Sequence, residues 1–240
     1  MRPISGICLR SSALLLGALV ALAPAWVAAD PRAGARLAPG PVGAFDLHLA
    51  REDLTVEYRD GSAGGDLELT RVGIAFHEHI GRSVRGAVNL GATGVRQRDR
   101  PATADVDPTG WYFGLDFDGI WPREGLLRFN AGVGWRYTRA DRSDENGDET
   151  ILDWHTSEAR AAAILRLGPA AAVRLGAAQQ WIRGDERFRA DSSSTTRFDI
   201  DDPASAFLQL DFLTGRGGAI RFQARGGNPK GARIAFEYNY

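Results

Sequence analysis

The stretch that decides the fold is Gly231–Tyr240, which runs G-A-R-I-A-F-E-Y-N-Y. Ile234, Phe236, Tyr238 and Tyr240 fall on one face of an extended chain, and Arg233, Ala235, Glu237 and Asn239 on the other. The separation is clean because successive side chains of a strand point to opposite sides. One row is apolar and aromatic to its last residue, while the other carries charges of both signs. A strand that shows one row to lipid and the other to a wet interior needs this composition.

The same alternation recurs upstream, in segments parted by turns. Phe45–Arg59 opens with Phe45, Leu47 and Leu49, then continues with Leu54, Val56 and Tyr58 in the opposite parity. That shift predicts a bulge or a break. Asp66–His77, Val84–Arg96, Gly110–Ile120, Leu126–Arg139, Ile151–Leu167, Ala170–Ile182, Ala206–Leu213 and Ala219–Arg225 follow, each with an apolar and a polar row. With the closing stretch this makes about ten strands, most near the roughly 9–11 residues a tilted membrane strand needs. The connections alternate as well. Gly81–Ser83, Pro122–Gly125, Gly168–Pro169 and Thr214–Gly218 are tight, whereas Gln97–Pro108, Ala140–Thr150 and Arg183–Pro203 are long and polar. Short turns at one end and long loops at the other describe a barrel set in a membrane.

The polar rows carry Arg85, Asp116, Asp118, Arg128, Arg136, Glu158, Arg160, Arg174, Asp211, Arg221 and Glu237, interspersed with Gly91, Gly114, Gly132, Gly134 and Gly176. Small residues mixed with opposite charges predict a narrow lumen crossed by a ladder of ion pairs, since an unpaired charge at membrane depth is expensive. Trp111, Trp135, Tyr137 and Trp181 sit at the loop ends of their apolar rows, with Trp121 and Tyr240 near the turn ends. Two such belts mark the two interfaces of a bilayer. The predicted fold is therefore all-β, an antiparallel transmembrane β-barrel of about ten strands, with eight as the alternative. Its backbone groups cannot face lipid unpaired, so the sheet must close.

The rest of the chain agrees with export. Arg2 and Arg10 make a basic region ahead of an apolar run, Ala13–Ala23, and Val27-Ala28-Ala29 before Asp30 is a small-residue cleavage site. Residues 1–29 are expected to be a signal peptide, 30–44 a flexible periplasmic lead-in, and 45–240 the barrel. Cys8 is the only cysteine and leaves with the signal peptide, so no disulfide, thiol nucleophile or cysteine metal site is expected in the mature chain. The full chain has 29 basic and 30 acidic residues. Cleavage removes two arginines and no acid, which argues against nucleic acid as a partner.

Gly231–Tyr240 resembles the C-terminal signature of bacterial outer-membrane β-barrels, in which hydrophobic residues alternate up to a final aromatic, usually Phe; here it is Tyr240. The mature chain as a pattern resembles the broad class of small barrels that includes OmpA-type membrane domains. The resemblance implies a location in the Gram-negative outer membrane and contact with its lipids and lipopolysaccharide. It also implies delivery by periplasmic chaperones to the barrel assembly machinery, with Phe236, Tyr238 and Tyr240 as the assembly signal. A monomer without cofactor is expected. The interior of so small a barrel is nearly filled by side chains, which excludes a wide diffusion pore.

Asp153-Trp154-His155-Thr156-Ser157 is the run most suggestive of chemistry, because Asp153, His155 and Ser157 share one strand face and are the residue types of a hydrolytic triad. His155 and Ser157 resemble the His-x-Ser pair of lipid A deacylases. Asp105-Val106-Asp107 with Asp153-Trp154-His155 resembles the Asp-x-Asp and Asp-x-His pairs of omptin proteases. By parity, however, these residues share the side of Ala161 and Leu165, away from the lumen. The expected function is thus a structural or surface-exposed barrel, at most a narrow channel, with an outer-membrane hydrolase using His155 as the alternative. Asp144, Asn146 and Asp148 open like a calcium loop, but the pattern then fails at Glu149 and His155. Arg183-Gly184-Asp185 reads as chance in a loop rich in those residues. His77 and His79 share a face without an evident third metal ligand.

Overall fold

The computed structural model describes residues 43–239 apart from 62–63, 81–82, 99–106, 123–124, 144, 146, 190–192 and 215–216. The expected signal peptide and nearly all of the lead-in fall outside the described residues, as do Asp105, Asp144, Asn146 and Tyr240.

The described chain is built from strands: β1 (Gly43–Tyr58), β2 (Gly65–Ile80), β3 (Val84–Arg98), β4 (Thr109–Trp121), β5 (Leu127–Ser143), β6 (Glu149–Arg166), β7 (Ala171–Arg189), β8 (Ser193–Ile200), β9 (Ala204–Thr214), β10 (Gly218–Gly227) and β11 (Lys230–Asn239). Every pairing is antiparallel. Ten of the strands close a ring, in which β9 pairs β7 and β11 returns to β1. The closing register joins Phe45 to Tyr238 and Leu47 to Phe236. The apolar row of the last strand thereby continues into that of the first, and no edge is left open. β1 begins at Gly43, so Gly43 and Ala44 belong to the barrel wall rather than to the lead-in.

The eleventh strand lies where a long polar loop was expected. β7 continues past its pairing with β9, and its outer half, Arg183–Arg189, pairs with β8. The far end of β8 then joins β1 through Val56–Tyr58. At the loop end the wall is therefore completed by β8, which replaces β9, β10 and β11. The ring narrows from ten strands to eight (β1 to β8). Asn228, at the turn between β10 and β11, ties the step together: its side-chain amide donates to the carbonyls of Thr55 and Asp201 and accepts from the Thr55 N–H.

The narrowing explains the parity shift in β1, which is neither a bulge nor a break. Its register with β2 runs unbroken from Gly43↔Glu78 to Val56↔Gly65. All even-numbered residues of β1 face inward, Asp46 and His48 as well as Leu54, Val56 and Tyr58. What changes is the surroundings. In the lower half the wall is bathed in lipid, so Phe45, Leu47 and Leu49 face out. In the upper half the outside is water, and the apolar residues turn to the inside. There Leu54, Val56, Tyr58, Leu67, Leu69, Val95, Ala140, Leu152, Trp154, Ile182 and Phe198 form one buried core. A soluble-type apolar dome thus stands on a membrane-type polar barrel. The strands that build both reach 15–19 residues, as in β3 and β7, beyond what the bilayer alone requires.

Candidate functional site: the charged lumen beneath an apolar dome

The outer face of the lower barrel is apolar: Leu90, Phe113, Phe117, Phe129, Val133, Leu165, Leu175, Leu208, Leu210, Phe222 and Phe236 all stand exposed. Its upper margin carries Trp111, Trp135, Tyr137 and Trp181. Trp111 packs edge-on to Tyr137 with centroids 5.5 Å apart. Apolar outside and charged within, the closed wall satisfies every demand of a bilayer.

Inside, the charges meet across strands. Arg160 on β6 reaches over Gly132 and Gly134 of β5 to β4, where its Nη1 lies 2.9 Å from Asp116 and its Nη2 2.7 Å from Asp118. The glycines make the reach possible. A Cβ on Gly132 would lie 2.3 Å from the Asp118 carboxylate, and one on Gly134 2.5 Å from that of Asp116. Glu158 accepts from Arg225 at 2.8 Å and from the Gln180 amide at 2.6 Å. On the other wall Asp211 takes Arg174 at 2.8 Å and lies 3.6 Å from Arg221. Glu237 takes Arg221 at 2.8 Å and Arg85 at 3.0 Å. Each carboxylate thus faces at least one guanidinium, the form in which charge is tolerable at this depth.

Arg128 and Arg136 differ from the others. Both face inward, but among the described residues neither has a carboxylate partner, and the Nε of each is buried without a hydrogen bond. The Arg136 guanidinium lies instead 5.6 Å from the centroid of the Tyr112 ring, a cation–π distance.

A second network was not singled out from the sequence. Asp46 accepts from His48 Nδ1 at 2.7 Å and from His77 Nε2 at 2.8 Å. With Nδ1–H donated, His48 Nε2 is left to accept the Tyr112 hydroxyl, 2.7 Å away. Arg233 approaches Asp46 at 3.5 Å, and Arg71 pairs with Glu52. Tyr112 lies along the inner wall over Gly91 of β3 and Gly73 of β2, where a Cβ would lie 2.7 Å and 1.9 Å from its hydroxyl. The signal was available in the sequence: Asp46 and His48 interleave with Phe45, Leu47 and Leu49, which fixes their side of the wall. Asp46, His77 and Glu237 bring ligand atoms within 4.8 Å of one another, so His77 meets two carboxylates rather than His79, which is exposed. Those carboxylates already hold Arg85, Arg221 and Arg233. A cation there would compete with three guanidiniums, and the cluster fits ion pairing better than a metal.

The residues of the alternative enzymatic reading do not converge. His155 faces outward and packs on the rings of Trp135 and Tyr137, with centroids 5.7 and 5.0 Å away. Asp153 is held by Arg187. Ser157 sits opposite Trp135 and Trp181 on the lipid side. Among the described residues no hydrogen bond joins the three. Asp107 lies 3.4 Å from Arg96.

Between the ion pairs remains a cavity of about 170 Å³, lined by Asp46, Glu52, Asp116, Glu158, Arg136, Arg225 and Arg233, among others. It lies below the apolar core.

These features define the class: a transmembrane β-barrel of the outer-membrane type. Among solved structures, the chain is similar to the translocator domain of the autotransporter NalP from Neisseria meningitidis. The two are 11% identical over 96% of this chain and 97% of that one, with a TM-score of 0.47. It is similar also to the outer-membrane protein OprG from Pseudomonas aeruginosa (12% identical, 82% and 95% covered, TM-score 0.44). A third is the outer-membrane protease OmpT from Escherichia coli (7% identical, 83% and 97% covered, TM-score 0.35). At these values likeness assigns neither a family nor an activity. No protein-family model and no curated protein matches the sequence.

Proposed function

We propose that the protein is a sealed, non-enzymatic barrel of the Gram-negative outer membrane, which holds a rigid eight-stranded dome above the lipid surface. One observation carries this: the fully buried Trp154, Phe198 and Leu152 fill the barrel where it leaves the bilayer. An aqueous solute has no wet path through such a core. Below it, the ion pairs of Arg160, Arg174, Arg221 and Arg225 occupy much of the lumen. A hydrolase built on His155 finds no support in the outward packing of that ring. The row Phe236 and Tyr238, about half exposed on the closing strand, suits recognition during assembly. Tyr240 would extend the row, and the exported N-terminal region would place the turns in the periplasm.

The test has two parts. Cell fractionation with heat-modifiability on a gel should place a folded barrel in the outer membrane. The purified protein in planar bilayers should then show no steady conductance, and liposomes carrying it should exclude sugars. Free passage of sugars would overturn the sealed reading and make the protein a porin.

A further inference from the structure

The lumen is not electrically balanced everywhere. Among the residues lining its cavity, arginines outnumber carboxylates. Once the acids are assigned to Arg71, Arg85, Arg160, Arg174, Arg221 and Arg225, the cavity retains Arg136, which among the described residues makes no ion pair. It also retains Arg233, with one carboxylate contact at 3.5 Å. The Nε of both is buried without a hydrogen bond. Arg136 stands on β5 and Arg233 on β11, strands on opposite sides of the ring, and both line the same cavity. A guanidinium is a rigid fork of donors that fits a tetrahedral or planar oxyanion with two bonds at once. Two such forks on opposite walls of one cavity of about 170 Å³ are matched by one small oxyanion.

We propose that the lumen binds a small, multiply charged oxyanion of phosphate size, held between Arg136 and Arg233. The apolar dome blocks the outer side, so the anion enters through the turn side. Only this direction of entry rests on the sealed-barrel reading; binding itself does not. The dome also makes the site a terminus rather than a station on a path: the anion enters and leaves by the same mouth.

Binding is tested on the full chain, refolded in detergent and verified as folded by its heat-modifiable migration. The probe is inorganic phosphate in calorimetry at constant ionic strength, with chloride as the comparison. Saturable binding of one phosphate per chain is expected, with chloride far weaker. Arg136→Gln should weaken it about tenfold or more, the scale of one lost charge-assisted contact. Arg233→Gln, on the opposite wall, should do likewise, and it decides the matter if the Arg136 variant does not fold. Arg183→Gln, on the outer surface, should leave binding unchanged. No saturable phosphate binding by the wild-type chain, or undiminished affinity in the folded lumen variants, would overturn the proposal. Sugar passage in the bilayer assay would remove the sealed dome and leave this result standing.

Discussion

Arg160 on β6 bridges two strands of the ring to clasp Asp118 on β4, with Nη2 2.7 Å from Oδ2, across the bare backbone of Gly132. The pair is possible only because the intervening strand offers no side chain at that point. Gly132→Ala should therefore destabilise the barrel although it changes a single methyl group. The new Cβ would stand 2.3 Å from the Asp118 carboxylate and 2.9 Å from the Phe117 carbonyl. A loss of roughly 1–3 kcal/mol is expected, as for other overpacked positions. It should be seen as a lower guanidinium midpoint with an unchanged slope; an unaffected midpoint would contradict the geometry.

The facing of the wall gives the second prediction. Leu175 is 64% exposed on the lipid side of β7, between the turn end at Ala171 and the Trp181 girdle. Leu175→Arg should cost roughly 2–4 kcal/mol in bilayer refolding, the range for an arginine near the midplane. Gln223→Arg, on the lumen side of β10, should cost much less. Equal costs would mean that the two faces are assigned wrongly.

Removing a lumen carboxylate strands its partners. Glu158→Ala leaves Arg225 and Gln180 without an acceptor and takes one of three acids from Arg160. Breaking a buried pair from one side costs several kcal/mol. The variant should unfold earlier than Glu158→Gln, which keeps the shape and one acceptor oxygen. If the two variants are equally stable, the pairing contributes little and the lumen is well hydrated.

The dome should behave like the core of a soluble protein. Trp154→Ala removes its largest buried side chain and should cost roughly 3–5 kcal/mol. The effect should appear equally in detergents of different chain length, since the site lies above the lipid. A strong dependence on detergent would put Trp154 in the membrane instead.

His155→Ala tests the enzymatic alternative. The ring packs on Trp135 and Tyr137, so the change should alter tryptophan fluorescence while leaving barrel yield and migration intact. A lost hydrolytic activity on lipid or peptide, measured side by side with the wild type, would reverse this assignment.

The sequence by itself determined which residues share the outward row of the wall and which share the inward row. A strand has only two sides, and Phe129, Val133 and Trp135 alternate with Asn130, Gly132 and Arg136 without interruption. The same parity put the acids and arginines of β4, β6, β9, β10 and β11 inside. It also placed Asp46 and His48 there, had the change in β1 been taken for a change of surroundings. What the tertiary structure decided is everything that depends on ring closure. That Glu158 meets Arg225, 67 residues away, follows from the wall curving until β6 and β10 face one lumen. That Arg136 is left without an acid follows from the same geometry, since composition does not say which guanidinium is served first. The dome is the clearest case. Leu54, Trp154 and Phe198 are apolar residues on an inward row, and a period of two cannot tell whether the medium outside is hydrocarbon or water. The height of each residue along the barrel decides that, and height is set by the tilt and stagger of strands in the closed ring.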